Sequence, residues 1–222
     1  LNDCGTYEEN QVKIAIFGAS GRTGKLLAAQ AVLNGLEVVA VVRDASKVAG
    51  IQGIQVVVAD VFDAQQVTAA LNGVDVVFDC LGSNHLGKTD VQARSIRVII
   101  EAMKVKAIKR IIVLGASGSL HPSLCHATFG RKVFFWIIRN TFLKHPMNDS
   151  GEQQRIVEAS DTDFTIVLPP RLTDEPAKGH YRVDTKGLPK DGQFLSRADL
   201  AAFMLAQLKA PQSIRSSVYV SD

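Results

Sequence analysis

Val12-Lys13-Ile14-Ala15-Ile16-Phe17-Gly18-Ala19-Ser20-Gly21-Arg22-Thr23-Gly24 carries an apolar run of strand length into three glycines spaced three residues apart. Val12 to Phe17 reads as a buried β-strand. Lys25 to Asn34 then carries helix formers and meets a stop at Gly35. The glycines therefore fall where a strand turns sharply into a helix. Side chains at that turn would hold a diphosphate away from the backbone, whereas bare N–H groups at the helix start attract an anion. A glycine pattern alone is weak evidence; the strand before it and the helix after it supply the context that gives it meaning. Gly18, Ser20, Gly21, Arg22, Thr23 and Gly24 are thus the expected cradle of a dinucleotide.

Outward from this turn, apolar runs of strand length keep alternating with helical patterns. Strands are expected at Glu37 to Val42, Ile54 to Ala59, Asp75 to Cys80, Arg110 to Leu114 and Phe164 to Leu168, with Val218-Tyr219-Val220 closing the sheet. Helices are expected at Ala64 to Leu71 and Asp90 to Lys104, and from Ser150, where Gln153 completes a capping-box pattern. Ser196 and Asp199 repeat that signature ahead of Leu200, Phe203, Met204 and Leu208. Continuously apolar strands that alternate with helices imply a parallel sheet covered on both faces. The expected fold is a single α/β domain of the Rossmann type, doubly wound, with about seven strands. It spans residues 12–222, behind a polar tail at residues 1–11.

The ends of these strands define the rest of the site, because ligands of open α/β sheets bind at the carboxyl ends. The second strand ends in Val42-Arg43-Asp44. An acidic group there suits the ribose diol of NAD(H), and a cation suits the 2′-phosphate of NADP(H). Arg22, Arg43 and Lys47 against the single Asp44 favour NADP(H), with NAD(H) as the alternative. Asp60 and Val61 after the third strand would border the adenine. Leu81 and Gly82 after the fourth leave room for the cofactor to pass.

The loop after the fifth sheet strand, Gly115-Ala116-Ser117-Gly118-Ser119, should lie beside the nicotinamide. Ser117 is the candidate catalytic residue, a hydroxyl that orients the nicotinamide or a substrate carbonyl; capping of the strand end is the alternative use of that serine. A Tyr-x-x-x-Lys pair is absent, since Tyr7, Tyr181 and Tyr219 have no lysine four residues on. Sugar epimerases and ordinary alcohol dehydrogenases of this fold are thereby disfavoured. A substrate that takes hydride readily fits better, such as a flavin, a quinone or a linear tetrapyrrole.

The chain has 222 residues and a formal charge of +3, too small to argue for nucleic acid. Its distribution is uneven: Ala102 to Asn148 holds no Asp or Glu. Within it, Leu120 to Met147 gathers Phe129, Phe134, Phe135, Phe142 and the lone Trp136. This aromatic and basic excursion at 120–148 reads as a lid over a flat anionic substrate, a partner- or membrane-facing surface, or a helical detour packed into the core. Trp136 and Ser119, with Arg171 after the double proline, are the candidate substrate contacts; Pro169 would border the nicotinamide. His121, Cys125 and His126 lie close together, but no second cluster completes four ligands, so no metal is expected. The three cysteines, Cys4, Cys80 and Cys125, form no paired motif and suit a reducing compartment, with Cys80 a small core residue. No apolar stretch reaches membrane-spanning length and no signal pattern is evident, which makes the cytoplasm the expected location.

Taken together, Ile14 to Gly24, Val42-Arg43-Asp44, Ala59-Asp60-Val61, Leu81-Gly82, the Ser117 loop, Pro169-Pro170, Thr173-Asp174-Glu175-Pro176 and Gly179-x-Tyr181 resemble the atypical short-chain dehydrogenases. That group includes the flavin reductase/biliverdin-IXβ reductases and NmrA-like proteins. The resemblance runs from Val12 to Tyr219 and implies an NADPH-dependent reductase of flavins and linear tetrapyrroles, monomeric and cytosolic. Ser117 falls on the family's active-site serine. Arg171 stands where the family carries a histidine after the double proline, and an arginine donates no proton at neutral pH. The NmrA-like relatives suggest the other reading, a regulator or interaction protein that senses the dinucleotide without turnover.

Overall fold

A computed structural model describes residues 11–82, 87–119, 141 and 143–222. The tail through residue 10, with Cys4 and Tyr7, lies outside the described residues. So do residues 120–140 and 142, with Trp136, His121, Cys125, His126, Phe129, Phe134, Phe135 and Phe142.

In chain order the strands are β1 Lys13–Phe17, β2 Glu37–Val42, β3 Ile54–Val58, β4 Val76–Asp79, β5 Arg110–Leu114 and β6 Asp163–Leu168, then β7 Arg171–Thr173, β8 Arg182–Asp184, β9 Phe194–Ser196 and β10 Ser216–Ser221. The described helices are α1 Arg22–Leu33, α2 Ala64–Ala70, α3 Val91–Val105, α4 Lys144–Glu158 and α5 Arg197–Ala206. Eight strands form the main sheet in the order β3-β2-β1-β4-β5-β6-β10-β8. The first seven run parallel, and β8 joins β10 antiparallel at the edge. A separate pair, β7 with β9, lies outside that sheet.

Alternation along the strands splits the core into two layers. Ile14 and Ile16 of β1 face Leu27, Ala28 and Ala31 of α1 and Leu200, Ala201 and Met204 of α5. Ala15 and Phe17 face the other way, into the layer of Val67 from α2, Ile96, Ile99 and Met103 from α3, and Val157 from α4. Each side chain in these two sets is 5% exposed or less, which places both sheet faces inside the protein. That is why the strands read as unbroken apolar runs.

Two local expectations are corrected. The Ser150 helix start is one: α4 begins at Lys144, with Pro146 in its first turn where a missing N–H costs nothing. Ser150 and Gln153 lie inside the helix and are buried, so the capping-box spacing was met by coincidence. The eighth strand, Arg-Val-Asp at β8, is short and polar, and an edge strand needs neither length nor a continuous apolar run. The second capping signature is present as expected. Ser196 Oγ accepts from the Asp199 amide at 3.0 Å and donates to the Asp199 carboxylate at 2.7 Å.

Candidate functional site

The strand order reverses between β1 and β4, so α1 and α3 depart to opposite faces and leave a crevice at the carboxyl ends. Gly18 sits at that point with φ of +78°, and a Cβ there would stand 2.7 Å from the carbonyl oxygen of Cys80. Glycine alone meets both demands. At Gly24 an added Cβ would strike the carbonyl oxygen of Gly18 and come within 2.9 Å of the Ala19 Cα, so that glycine sets how closely α1 packs on the turn. Gly21 differs. It occupies the N-cap of α1 in an ordinary extended conformation, φ −74° and ψ 165°, and it is exposed.

No side chain caps α1 and its first turn holds no acid. Its leading N–H groups and the positive end of its dipole are therefore open to an anion. Thr23 is buried beside them, and Ser20 is half-buried. Arg22 is turned elsewhere: its guanidinium pairs with Asp174 at 3.0 Å, on the segment after β7. Asp174 also holds Arg197, whose side chain is only 10% exposed, at 2.7 Å. The ion-pair chain Arg22–Asp174–Arg197 thus ties the glycine turn to the start of α5. It keeps one positive charge in excess.

At the end of β2, Arg43 and Lys47 are both exposed. Asp44 between them caps the following short turn, accepting from the Ser46 hydroxyl at 2.6 Å and the Ser46 amide at 3.0 Å. Those bonds, with Lys47 nearby, hold its carboxyl below the usual range. One Asp44 oxygen is thereby spent on its own turn, while Arg43 and Lys47 have no such engagement among the described residues. Asp60 likewise accepts from the Phe62 amide at 3.0 Å, and Val61 is buried after β3.

The end of β4 holds a residue that the sequence analysis passed over. Asp79 is fully buried, and burial raises its carboxyl from an ordinary value near 3.8 to about 6, against the lowering effect of two hydrogen bonds. One oxygen accepts from the Leu81 amide at 3.0 Å and the other from Gln153 Nε2 at 2.9 Å. Gln92 Nε2 donates to Gln153 Oε1 at 3.4 Å and to the Leu81 carbonyl at 3.3 Å. The backbone of Leu81 is therefore held through both its N–H and its C=O. Next to this chain, the buried Asp149 of α4 caps α3, accepting from the Ala93 amide at 2.9 Å and the Gln92 amide at 3.1 Å. Asp79 was legible only as an acid inside an apolar run, Val-Val-Phe-Asp-Cys.

Beyond β5 and β6 the two loops run side by side: the Gly115 amide donates to Val167 O at 2.9 Å, and the Ser117 amide to Pro169 O at 3.3 Å. Ser117 and Pro169 are thus neighbours, both buried. The Ser119 hydroxyl donates to Ala116 O at 2.7 Å and is also met by Gln154 Nε2. Arg171 is exposed, its guanidinium 5.9 Å from the centre of the Phe194 ring. Leu81 is half-buried and Gly82 exposed at the β4 end. The amides of Ala59, Cys80 and Gly115 donate to the carbonyls of Val42, Phe17 and Val167, and with the β1–β2 and β4–β5 pairings they join these strand ends along one edge. The expected dinucleotide residues outside α1 stand along it in order. Trp136 lies outside the described residues.

A separate cleft of about 410 Å³ opens at the opposite end of the sheet, between Glu158, Phe164, Lys186, Arg215 and Tyr219. It shares no residue with the glycine turn. Among the described residues, no helix is long and apolar enough to cross a membrane.

Comparison with known proteins agrees with this geometry. The profile described as NAD(P)H-binding matches residues 18–211. The uncharacterized protein YwnB of Bacillus subtilis is 27% identical over 207 residues, covering 90% of this chain and 94% of YwnB. Among solved structures, the anaerobilin reductase ChuY of Escherichia coli O157:H7 superposes with a TM-score of 0.76 at 23% identity, covering 95% of this chain and 97% of ChuY. A short-chain dehydrogenase/reductase of Veillonella parvula in complex with NADP gives 0.76 at 17% identity, covering 95% and 94%. At such identities the two structures speak for the fold.

Proposed function

This chain belongs to the NAD(P)H-binding family, and on that premise we propose that it is an NADPH-dependent reductase of flavins, quinones or linear tetrapyrroles. The observation that carries the proposal is the cradle itself: Gly18 turned at φ +78° against Cys80, and an uncapped, acid-free α1 start. Gly18, Ser20, Gly21, Thr23 and Gly24 would hold the diphosphate, with backbone N–H groups as donors. Arg43 and Lys47 would take the 2′-phosphate, and Asp44, engaged with Ser46, supports NADP(H) over NAD(H). Asp60 and Val61 would border the adenine, and Leu81, Gly82 and Pro169 the path to the nicotinamide. Arg22 would add a cation to the diphosphate on leaving Asp174.

Bound NADPH supplies a hydride. The chain's task is then to orient the acceptor against the nicotinamide. Ser117, buried beside Pro169, would hold the acceptor carbonyl or the nicotinamide amide, with Ser119 alongside. The described groups at this end of β5 and β6 are hydroxyls, amides and the cation Arg171. That set suits a conjugated, planar, anionic acceptor that draws its proton from water. ChuY, an anaerobilin reductase, is a structural neighbour consistent with a tetrapyrrole. The lack of a titratable donor at these loop ends among the described residues favours one other reading, a dinucleotide sensor without turnover.

The test is titration with NADPH and NADH, then oxidation of each in the presence of FMN, riboflavin, a quinone or biliverdin. Changing Arg43 and Lys47 together to alanine should weaken NADPH about tenfold or more and leave NADH nearly unchanged, because only NADPH loses charge-assisted bonds. Binding with no turnover on any acceptor would select the sensor. Absence of binding to either nucleotide would remove both readings.

A further inference from the structure

We propose that Asp79, Gln153 and Gln92 form a proton-operated latch on the Leu81 backbone, which fixes the β4 end against the bound nucleotide; the second half of this statement rests on the proposed cofactor site. The argument is one of hydrogen-bond direction. Both oxygens of Asp79 accept, one from the Leu81 amide and one from Gln153 Nε2. Neither donor can accept a proton in return, so the arrangement suits the carboxylate, and a protonated Asp79 would find no acceptor for its O–H in either partner. Gln153 spends its NH2 on Asp79 and its oxygen on Gln92, and Gln92 uses its own NH2 both for Gln153 Oε1 and for the Leu81 carbonyl. Every amide in the chain is oriented by the charge at its end.

A proton from solvent on the Asp79 oxygen that faces Gln153 reverses the chain. The new O–H points at an NH2 group, and the conflict is relieved when the Gln153 amide turns over to accept. Its NH2 then faces the NH2 of Gln92, which turns over in its turn and brings its oxygen to face the carbonyl of Leu81. Two acceptors repel, and the carbonyl is released. A buried polar chain has few ways to be fully satisfied, so the two orientations are discrete. Leu81 follows Cys80, whose backbone packs directly on Gly18. Releasing Leu81 therefore loosens the wall of the crevice opposite the glycine turn.

Among the described residues, Asp79 is the buried carboxyl at the head of this chain. Across the sheet it is paired with Phe17 of β1 and Val113 of β5. From α3 and α4 the chain reaches it through Gln92 and Gln153. Arg94, Arg97, Glu101 and Lys104 of α3 and Arg155 of α4 are exposed. Glu152 pairs with Arg97 at 2.9 Å, and Glu158 accepts from Ser217 in the last turn of α4. Lys144 and His145 belong to its first turn. Among the described residues, the titratable groups next to Asp79 are the Cys80 thiol, pushed up by burial and by the Asp79 charge, and Asp149, bound to the α3 start.

The experiment uses the nucleotide-free protein, labelled for NMR, from about pH 5 to about pH 8. The Leu81 amide and carbonyl and the Gln92 and Gln153 side-chain amides should titrate together with one midpoint. Asp79→Asn, whose NH2 donates as the protonated acid would, should abolish the midpoint and hold the low-pH pattern. Gln92→Met should leave the Leu81 amide titrating and flatten its carbonyl. NADP affinity, taken as the ratio of wild type to Asp79→Asn at each pH so that the 2′-phosphate's own ionisation cancels, should rise roughly three- to tenfold across the midpoint, the worth of one hydrogen bond. A Leu81 amide that does not titrate, or that titrates equally in Asp79→Asn, overturns the latch. Should that variant fail to fold, a carbonyl that still titrates in Gln92→Met overturns it instead. Nucleotides that bind at no pH sink the cofactor site, while the Leu81 titration still decides the latch.

Discussion

Replacing Asp79 by asparagine should make the protein progressively more stable than wild type as pH rises. The carboxyl is fully buried, with a folded-state value of about 6 against 3.8 unfolded. A raised carboxyl favours folding in its neutral form. Its contribution is complete below the unfolded value and is lost as pH climbs through the folded one. The whole shift amounts to about 3 kcal/mol at about 1.4 kcal/mol per unit. Between about pH 5 and about pH 8 the part still to be lost is roughly 1.4 kcal/mol, since the unfolded chain is already mostly ionised at the lower limit.

Urea unfolding of both proteins at several pH values across that range measures this directly. Asparagine also alters the bonds to Leu81 and Gln153, at a cost that does not vary with pH. The slope of the difference, rather than its level, is therefore the quantity of interest. The stability of the variant minus that of wild type should rise by roughly 1.4 kcal/mol over the range, at unchanged denaturant sensitivity. A difference that stays flat, or falls, would refute the assignment of a buried, near-neutral acid to Asp79.

Two further outcomes test the site and its scaffold. Gly21→Ala should still fold, at a cost of about 1 kcal/mol, because φ is −74° there while the added Cβ meets the Gly18 carbonyl at a tight 3.2 Å and alanine is a poorer N-cap. It should nonetheless weaken NADP by at least about tenfold, since the methyl group enters the space of the diphosphate; calorimetry paired with a thermal melt separates the two effects. Asp149→Ala should lower stability by about 1–2 kcal/mol in chemical denaturation, because it uncaps α3 and leaves the Gln92 and Ala93 amides without their acceptor.

The fold was legible where local chemistry and global packing agree. The glycine spacing, the apolar strands and the Ser196–Asp199 cap all read correctly, each because a single local rule governs it. The start of α4 was misread because Ser150 and Gln153 carry the spacing of a cap while facing the interior. Pro146 was the true signal. Asp79 could be seen in the sequence only as an oddity, because the groups that explain it lie on α3 and α4, distant in the chain. Arg22 was equally opaque: its chemistry suggested a phosphate, and its partner Asp174 is 152 residues away.

A buried charge at this place has a structural cause. Where the strand order reverses, α1 and α3 diverge, and the crevice between them is what admits a ligand. The same divergence leaves the chain after β4 without a neighbouring strand to satisfy its backbone. In an ordinary surface loop, water would pair with the Leu81 N–H and C=O. Here Leu81 packs against the buried apolar layer that includes Phe17, Val77 and Ile96. Leaving two backbone groups unpaired would cost several kcal/mol by general estimates of buried polar groups. Asp79 and Gln92 remove that cost, and the carboxylate brings a titratable group with it. The sensitivity to protons thus follows from the way the crevice is walled, and a neutral amide at Asp79 would hold the wall in its released form and give up the response to pH.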